Sequence, residues 1–473
     1  MKGSFIKNTS FYALGNVLPQ AVGFLLLPIY THYLTPEDYG IVSSMQVLNT
    51  ILIILFTLAV DRSVYRLFFD YNTEKDRRAY LGTITISIFI ISVIILALLF
   101  AFNNVVSTIY SSINFYPFYV YAILTSFFTV FSLVPKIYFQ INEKALMFVS
   151  ISIVQFLLNT GFVLFFIVHM KLGAKGMLEG NVIANAILVP FFLWITYKTV
   201  SLKFNIEILK ASLKFSLPMI PSLLSAWVLN LSDRVFIERY FNLHDVGVYS
   251  LGYKIAGIVL IFTGAFNMAY NPVFYQLANS EKQKKAKETL RNYNFIYILV
   301  ILIIVFIITL FSKDVVVLFL DANYIEAYKI IPIIALGYLI SQASGIFNLM
   351  IYQEKKTQAV MIITIVSALI NIGLNFLLIP YFGIYGAAYA TVLSFLVVFI
   401  FSFFYAKRCY YIPVEWRRLG VIFSLFLAIY YVFSVTEVNV LYLFIVKIIV
   451  IFLIMVFILK RYSVQIKNML SDY

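Results

Sequence analysis

Two arginines at the end of a long apolar run are the first residues whose type and spacing could do chemistry. They stand in the pattern Asp61-Arg62-x-x-x-Arg66, and the i, i+4 spacing puts both on one face of a helix. A guanidinium donates two parallel hydrogen bonds to a phosphate, so the pattern indicates anion binding. The alternative is that Arg62, Arg66 and Lys136 simply extend to the lipid headgroups.

A second charged motif, Asp233-Arg234-x-x-x-Glu238-Arg239, ends a later apolar run. Lys254 lies within the run that follows and has no acidic residue three or four positions away. Charged groups are costly in hydrocarbon and therefore mark candidate functional sites. With the first motif, these basic residues predict a cationic route for an anionic cargo. The alternative for Arg234 and Glu238 is a local pair on one helix.

Amide side chains within the apolar runs could line a wet cavity suited to sugar hydroxyls. Hydrogen bonding between helices is the alternative for each of them. These residues are Asn16, Gln20, Asn49, Asn159, Asn185, Asn230, Asn267, Asn348, Asn371 and Asn375.

The sequence contains no pattern typical of an enzyme active site. His32, His169 and His244 stand singly, and Cys409 is the only cysteine, so neither a metal cluster nor an internal disulfide is predicted. A phosphate-binding G-x-x-x-x-G-K-[ST] loop is absent from the sequence. We therefore expect a protein that is not an enzyme and that uses no cofactor, although coupling to H⁺ or Na⁺ is open.

The composition places these residues in a membrane. Hydrophobic residues make up 62% of the chain and charged residues 12%, and the mean hydropathy is +0.95. Soluble domains carry about 45–50% apolar and about 25% charged residues. The apolar runs are continuous and do not alternate, which favours helices over barrel strands. The prediction is an all-α integral membrane protein.

Hydropathy divides the chain into about fourteen transmembrane helices of ~20 residues. The predicted spans are 9–32, 40–66, 81–102, 117–139, 147–169, 177–198, 215–239, 247–270, 292–312, 330–352, 358–379, 384–406, 418–435 and 440–459. Between the sixth and seventh spans, residues 205–217 form an amphipathic pattern typical of a helix in the headgroup layer.

The basic residues are concentrated on one side of these spans. In the fourteen-span topology, 27 of the 35 Lys and Arg residues lie in segments on the side of both termini. The positive-inside rule assigns that side to the cytoplasm. This asymmetry accounts for the net charge of +14 without a nucleic-acid partner.

An internal repeat organises the spans. Tyr, Asp, Gly and Ser recur without a gap between residues 33–43 and 240–250, at an offset of 207. Three pairs of segments match in the same order: 33–43 with 240–250, 143–144 with 354–355, and 173–176 with 383–386. Spans one to six therefore repeat as spans seven to twelve.

The repeat predicts two lobes in parallel orientation, because six spans return the chain to the side from which it started. A pseudo-twofold axis then runs along the membrane normal, as in transporters that alternate access by rocking two lobes. The predicted domains are a six-helix lobe (1–198), an amphipathic linker (199–216), a second six-helix lobe (217–406), and two appended helices with a tail (407–473).

At this point the sequence resembles a polysaccharide-biosynthesis flippase of the Wzx type, in the superfamily that includes multidrug and toxin extruders and lipid II flippases. The resemblance covers essentially the whole chain. It is carried by residues 28–40, Asp61-Arg62-x-x-x-Arg66, residues 233–240, residues 246–254 and Asn323-Tyr-Ile-Glu-Ala327.

The resemblance implies export of an undecaprenyl-pyrophosphate-linked oligosaccharide across the bacterial cytoplasmic membrane, by alternating access around a cationic cavity. It implies membrane lipids as surroundings, and polysaccharide polymerase and chain-length machinery as partners. The substrate contacts implied are Arg62, Arg66, Arg234 and Lys254. The residues implied in coupling to H⁺ or Na⁺ are Asp61, Asp233 and Glu238.

Three other functions stay open. Fourteen spans depart from the commonest count of twelve, which keeps a lipid II-type flippase in contention. A multidrug or cation antiporter would need an acidic cavity, whereas the groups found here are mostly basic. A membrane glycosyl polymerase or ligase would need catalytic residues on long outer loops, and the predicted outer loops are short.

Overall fold

The computed structural model describes residues 15, 17–281, 283–436 and 440–471, and within these ranges the chain is helical without β-strands. The helices are α1 (17–25), α2 (Leu27–Tyr33), α3 (Pro36–Thr57), α4 (Val60–Leu67), α5 (Glu74–Ala101), α6 (Asn103–Val106), α7 (Val120–Ile141), α8 (Ala145–Leu164), α9 (Gly173–Thr199), α10 (Ile206–Ser216), α11 (Ile220–Leu231), α12 (Asp233–Tyr240), α13 (Leu243–Ala256), α14 (Ile258–Ala278), α15 (Gln283–Leu310), α16 (Ser312–Phe319), α17 (Ala327–Gln353), α18 (Thr357–Lys407), α19 (Trp416–Val435) and α20 (Val440–Ser471).

The helices confirm a multi-pass membrane protein. Within the described ranges, 12 helices are long and apolar enough to cross a membrane. One of them is the 51-residue α18, whose backbone is non-helical at Gly383, between the predicted spans 358–379 and 384–406. The first predicted span, 9–32, begins in residues outside the described ranges. The observed pattern is compatible with the predicted fourteen spans.

The amphipathic segment before the seventh predicted span forms α10. The side chain of Asn205 caps this helix by accepting hydrogen bonds from the backbone N–H groups of Glu207 and Ile208. A short 3-10 turn then joins α10 to α11, so that residues 206–231 are almost continuously helical. The predicted helix therefore begins where the sequence pattern begins.

Packing divides the chain into two units. The first unit comprises residues up to 250 together with residues 375–383, and the second comprises residues 251–374 and those from 384 onward. In the first unit, α7 packs against α8, α9 and α3. In the second unit, α15 packs against α14, α17 and α19. The two units are defined by packing, whereas the predicted lobes are defined by the sequence repeat. The packing units therefore do not test the predicted lobe boundaries, which stay predictions.

Helices α3 and α13 begin with the two matching repeat segments and cross near their first turns. A β-carbon added at Gly40 would lie 1.9 Å from the carbonyl oxygen of Leu243, and one added at Gly247 would lie 1.8 Å from that of Pro36. Only glycine lets two helix backbones meet this closely. Pro36 matches Leu243 and Gly40 matches Gly247 at the offset of 207, so the contact is reciprocal.

The same crossing joins a matched pair of serines. The hydroxyl of Ser43 donates a hydrogen bond to the hydroxyl of Ser250 at 2.7 Å, and the two positions differ by 207. Equivalent residues contact one another at a twofold axis, as in isologous interfaces. The crossing is therefore compatible with the parallel repeat.

Candidate functional site

A break in the helix path separates α3 from α4 within the predicted span 40–66. Leu58 and Ala59 have φ angles of 46° and 55°, in the left-handed region. The Thr57 hydroxyl stabilises the break, because it accepts a hydrogen bond from Ala59 N at 3.1 Å and donates one to Ile53 O at 3.0 Å. Left-handed residues other than glycine are uncommon and cluster at functional sites.

The break opens onto a cavity of about 480 Å³ within the first unit. Helices α3, α4 and α11 form its walls. The lining residues are Asn49, Thr50, Ile53, Ile54, Thr57, Ala59, Asp61, Arg62, Leu223, Ala226, Trp227 and Leu231. A mostly apolar wall with a few polar groups at fixed positions is typical of ligand sites.

Arg62 is the cationic residue in this cavity lining. Its side chain is 54% exposed, and its Nε lies 3.4 Å from Oδ2 of Asp61, whose side chain is 12% exposed. This partly solvated pair contributes little to stability. In the described part of the chain, Arg62 forms its ion pair with Asp61 through Nε. The N–H donors of its two Nη groups therefore stay available to an anionic ligand.

Two further lining residues are held by hydrogen bonds to neighbouring helices. The indole Nε1 of Trp227 donates to the carbonyl oxygen of Val47 at 3.1 Å. The side-chain oxygen of Asn49 accepts a hydrogen bond from the Ser126 hydroxyl at 3.0 Å. These bonds fix an aromatic ring and an amide in the cavity wall, beside the hydroxyl of Thr50.

Arg66 does not line this cavity, although it shares α4 with Arg62. Its side chain is 62% exposed and forms an ion pair with Asp70 four residues later. The structure therefore separates the two arginines that the i, i+4 spacing puts on one helix face.

Asp233 and Arg234 form a buried ion pair at the start of α12. Oδ1 of Asp233 and Nη1 of Arg234 are 2.6 Å apart, and both side chains are less than 5% exposed. The Tyr249 hydroxyl donates to the other carboxylate oxygen of Asp233, and Arg234 donates to the carbonyl oxygen of Asn230 at 2.7 Å. Buried pairs need such extra hydrogen bonds to offset their lost hydration.

Glu238 lies one turn further along α12 and is also buried, with 2% exposure. Its Oε1 accepts a hydrogen bond from the backbone N–H of Ser112 at 2.6 Å and lies 3.4 Å from the Ser111 hydroxyl. The carboxylate thus ties the segment between α6 and α7 to α12.

Lys254 lies near the end of α13 with an exposed side chain. It belongs to the second packing unit, whereas Arg62, Arg66 and Arg234 belong to the first. The cationic route that would join these residues stays a prediction.

The sequence reasoning missed Trp227, Thr50 and Thr57 as cavity residues. Thr50 and Thr57 are seven residues apart, which puts their hydroxyls on one face of α3 close to Asn49. That spacing could have indicated a polar face of α3. Trp227 lies on another helix, and no spacing in the sequence relates it to these threonines.

Two family models match the chain. The family described as polysaccharide biosynthesis protein matches residues 5–278. A second family, described as MatE, matches residues 218–377.

Curated relatives and one solved structure extend the comparison. Lsg locus putative protein 1 of Haemophilus influenzae is 26% identical over 398 residues, which cover 80% of this chain and 94% of that protein. The capsular polysaccharide biosynthesis protein CapF of Staphylococcus aureus is 23% identical over 415 residues, with 86% and 100% coverage. The lipid II flippase MurJ, in an inward closed conformation, superposes with a TM-score of 0.75 over 96% of this chain and 99% of that chain, at 14% identity. This last similarity shows a shared fold.

Proposed function

This chain belongs to the polysaccharide biosynthesis protein family of multi-pass membrane flippases, and we propose that it moves an undecaprenyl-pyrophosphate-linked oligosaccharide across the bacterial cytoplasmic membrane. The observation that carries the proposal is the position of Arg62 in a cavity that also presents hydroxyl, amide and indole groups. These groups suit a cargo with a pyrophosphate and a sugar.

In the proposed mechanism, the Nη groups of Arg62 bind the pyrophosphate while Asn49, Thr50 and Trp227 contact the sugar. The carboxylate of Asp61 competes with the pyrophosphate for the positive charge of Arg62. It therefore favours release of the cargo when the contacts between cargo and cavity loosen.

Most of the other predicted residues take part at other stages of the proposed cycle. Arg234 and Lys254 complete the cationic route, whereas Arg66, which pairs with Asp70 at the surface, is left out of it. Asp233 and Glu238 join Asp61 as the groups that couple movement to H⁺ or Na⁺. No covalent chemistry is involved, so the protein acts as a transporter and not as an enzyme.

Orientation and partners follow from the same proposal. The positive-inside rule places both termini in the cytoplasm. Cargo then enters from the cytoplasmic side and is released to the outer side. Polymerase and chain-length machinery would use the exported units there.

Replacing Arg62 with alanine tests the proposed site. A hydrogen bond to a charged group contributes about 1.5–3 kcal/mol, so we expect Arg62→Ala to lower transport by roughly tenfold or more. We expect Arg62→Lys to retain part of the activity, because it keeps the charge without the planar fork. Lys254→Ala tests the predicted route in the same way. The measurement is surface polysaccharide per unit of membrane-inserted protein.

Arg66→Ala is the matched control, since it removes the same side chain from the same helix outside the cavity. We expect its transport to stay close to that of the unmodified protein. Equal transport in Arg62→Ala and the unmodified protein would refute the proposed site.

Lipid II transport is the second candidate, because the superposition on MurJ covers 96% of this chain. Proteoliposomes loaded with lipid II in one sample and an undecaprenyl-pyrophosphate oligosaccharide in another would separate the two. We expect translocation of the oligosaccharide; translocation of lipid II alone would favour the second candidate.

A further inference from the structure

A second cavity lies inside the first packing unit and shares no residue with the Arg62 cavity. Its volume is about 420 Å³, within the range of about 300–1,000 Å³ usual for ligand pockets. Helices α5, α7 and α9 line it with apolar side chains that include Ile88, Phe131, Val134, Val189 and Leu193. The last residue of α9 in the lining is Tyr197, which lies close to the end of that helix. The charge asymmetry assigns this helix end to the cytoplasmic side.

The segment after α9 forms one edge of this cavity. The backbone N–H of Ser201 donates to the carbonyl oxygen of Arg78 at 3.0 Å, and the Thr83 hydroxyl donates to the carbonyl oxygen of Lys203 at 2.9 Å. These bonds hold residues 201–203 against α5 and place Leu202 in the cavity lining. Leu202 is 59% exposed, so the lining continues to the protein surface here.

Three basic residues surround that edge. In the sequence, Lys198 comes directly after the lining residue Tyr197, and Lys203 directly after the lining residue Leu202. Nη2 of Arg78 donates a hydrogen bond to the carbonyl oxygen of Lys198 at 3.1 Å. The ammonium of Lys198 lies 4.1 Å from the centroid of the Trp194 ring. Glu74 offsets one charge, since its carboxylate is 3.5 Å from Nε of Arg78. The edge therefore keeps a net positive charge beside an apolar interior.

We propose that this cavity binds an acyl chain of an anionic phospholipid from the cytoplasmic leaflet, with the lipid phosphate against Lys198, Lys203 and Arg78. Basic residues at this level attract anionic lipids, and the apolar walls suit one hydrocarbon chain. The bound chain lies between α5, α7 and α9 and stabilises their packing, because a ligand that binds only the folded state favours that state.

Binding of lipid to the purified full-length protein tests the proposal. Delipidated protein in detergent is titrated with phosphatidylglycerol or with phosphatidylcholine of the same chains, and bound lipid is counted by native mass spectrometry. We expect tighter binding of phosphatidylglycerol. Each cation near an anionic lipid surface is worth about fivefold in affinity, so Lys198→Gln should weaken phosphatidylglycerol binding by about that factor.

Lys144→Gln is the matched control. Its ammonium also lies over an aromatic ring, 5.4 Å from the centroid of Tyr138, but it does not border the cavity. Val189→Phe fills the cavity and should abolish binding of both lipids at this site. Equal effects of Lys144→Gln and Lys198→Gln, or unchanged binding in Val189→Phe, would overturn the proposal.

Undecaprenyl phosphate serves as a competitor in the same titration. We expect it to leave phosphatidylglycerol bound. Its displacement of phosphatidylglycerol at equal concentration would assign the cavity to a cargo lipid and would also overturn the proposal. This binding assay requires no transport activity, so its outcome is independent of the proposed flippase function.

Discussion

Arg62 and Arg66 stand one helical turn apart on α4, yet their surroundings differ. Arg62 lines a cavity and contacts Asp61 through Nε, whereas Arg66 pairs with Asp70 at the surface. Exposed pairs four residues apart contribute only about 0.3–0.5 kcal/mol. The proposed mechanism therefore assigns cargo binding to Arg62 and not to Arg66, and the two alanine variants described above test that difference.

Removing Arg234 should destabilise the protein. Its loss removes the arginine that pairs with the buried Asp233 carboxylate, and breaking a buried pair costs about 3–5 kcal/mol. We expect Arg234→Met to lower the thermal unfolding temperature in detergent. The double variant Asp233→Asn with Arg234→Met should recover part of the loss, because both charges of the pair are then removed.

Arg66→Ala again provides the control, with an expected change of less than about 0.5 kcal/mol. An unfolding temperature for Arg234→Met equal to that of the control would contradict the buried-pair assignment. Reduced transport with an unchanged unfolding temperature would favour the predicted role of Arg234 in substrate contact.

At the scale of helices, one ion pair connects α16 to α20 within the second unit. Nζ of Lys447 lies 2.6 Å from Oδ2 of Asp314, and both side chains are less than 10% exposed. Lys447 also lies 6.0 Å from the ring centroids of Phe311 and Phe433. Lys447 lies in the last predicted span, 440–459, and the structure supplies its acidic partner.

Breaking this pair should loosen the attachment of α20. Either Asp314→Asn or Lys447→Met leaves one buried polar group unmatched, at a cost of about 3–5 kcal/mol. We expect each single variant to show faster proteolysis after α19 in membranes. The double variant should be less affected than either single variant, and additive losses would show that the two residues are not coupled.

At the same scale, hydropathy predicted the long helices but not the break at Leu58 and Ala59. Both residues are ordinary apolar residues, and the Thr57 hydroxyl just before them offers a competing hydrogen bond. The left-handed conformation is maintained by the surroundings, including the Ser92 hydroxyl that donates to the carbonyl oxygen of Phe56 at 3.1 Å. Such a contact joins residues 36 positions apart and has no local sequence pattern.

For the molecule as a whole, the crossing of α3 and α13 offers a test of alternating access. The crossing must open if the two predicted lobes rock during transport. We expect a disulfide between Ser43→Cys and Ser250→Cys to stop transport, because their hydroxyls lie 2.7 Å apart and suit a crosslink. Cys409 is replaced by alanine in this variant, which removes the only native thiol.

The measurement compares transport before and after addition of a reductant. Recovery of transport on reduction is the expected result. Each single-cysteine variant is the control and should transport normally under both conditions. Full transport by the crosslinked protein would show that this crossing stays closed throughout the cycle.

The sequence by itself determined the membrane helices, the repeat and the positions of the ionisable groups, because hydrophobicity and charge are properties of each residue and its near neighbours. It singled out Asp61 and Arg62, which line the cavity, and Asp233, Arg234 and Glu238, which are buried. Only the tertiary structure decided which charges are paired and which face a cavity. Tyr249 reaches Asp233, Ser112 reaches Glu238, and Trp227 joins Arg62 in one wall. These partners lie far apart in sequence and meet only when the helices pack.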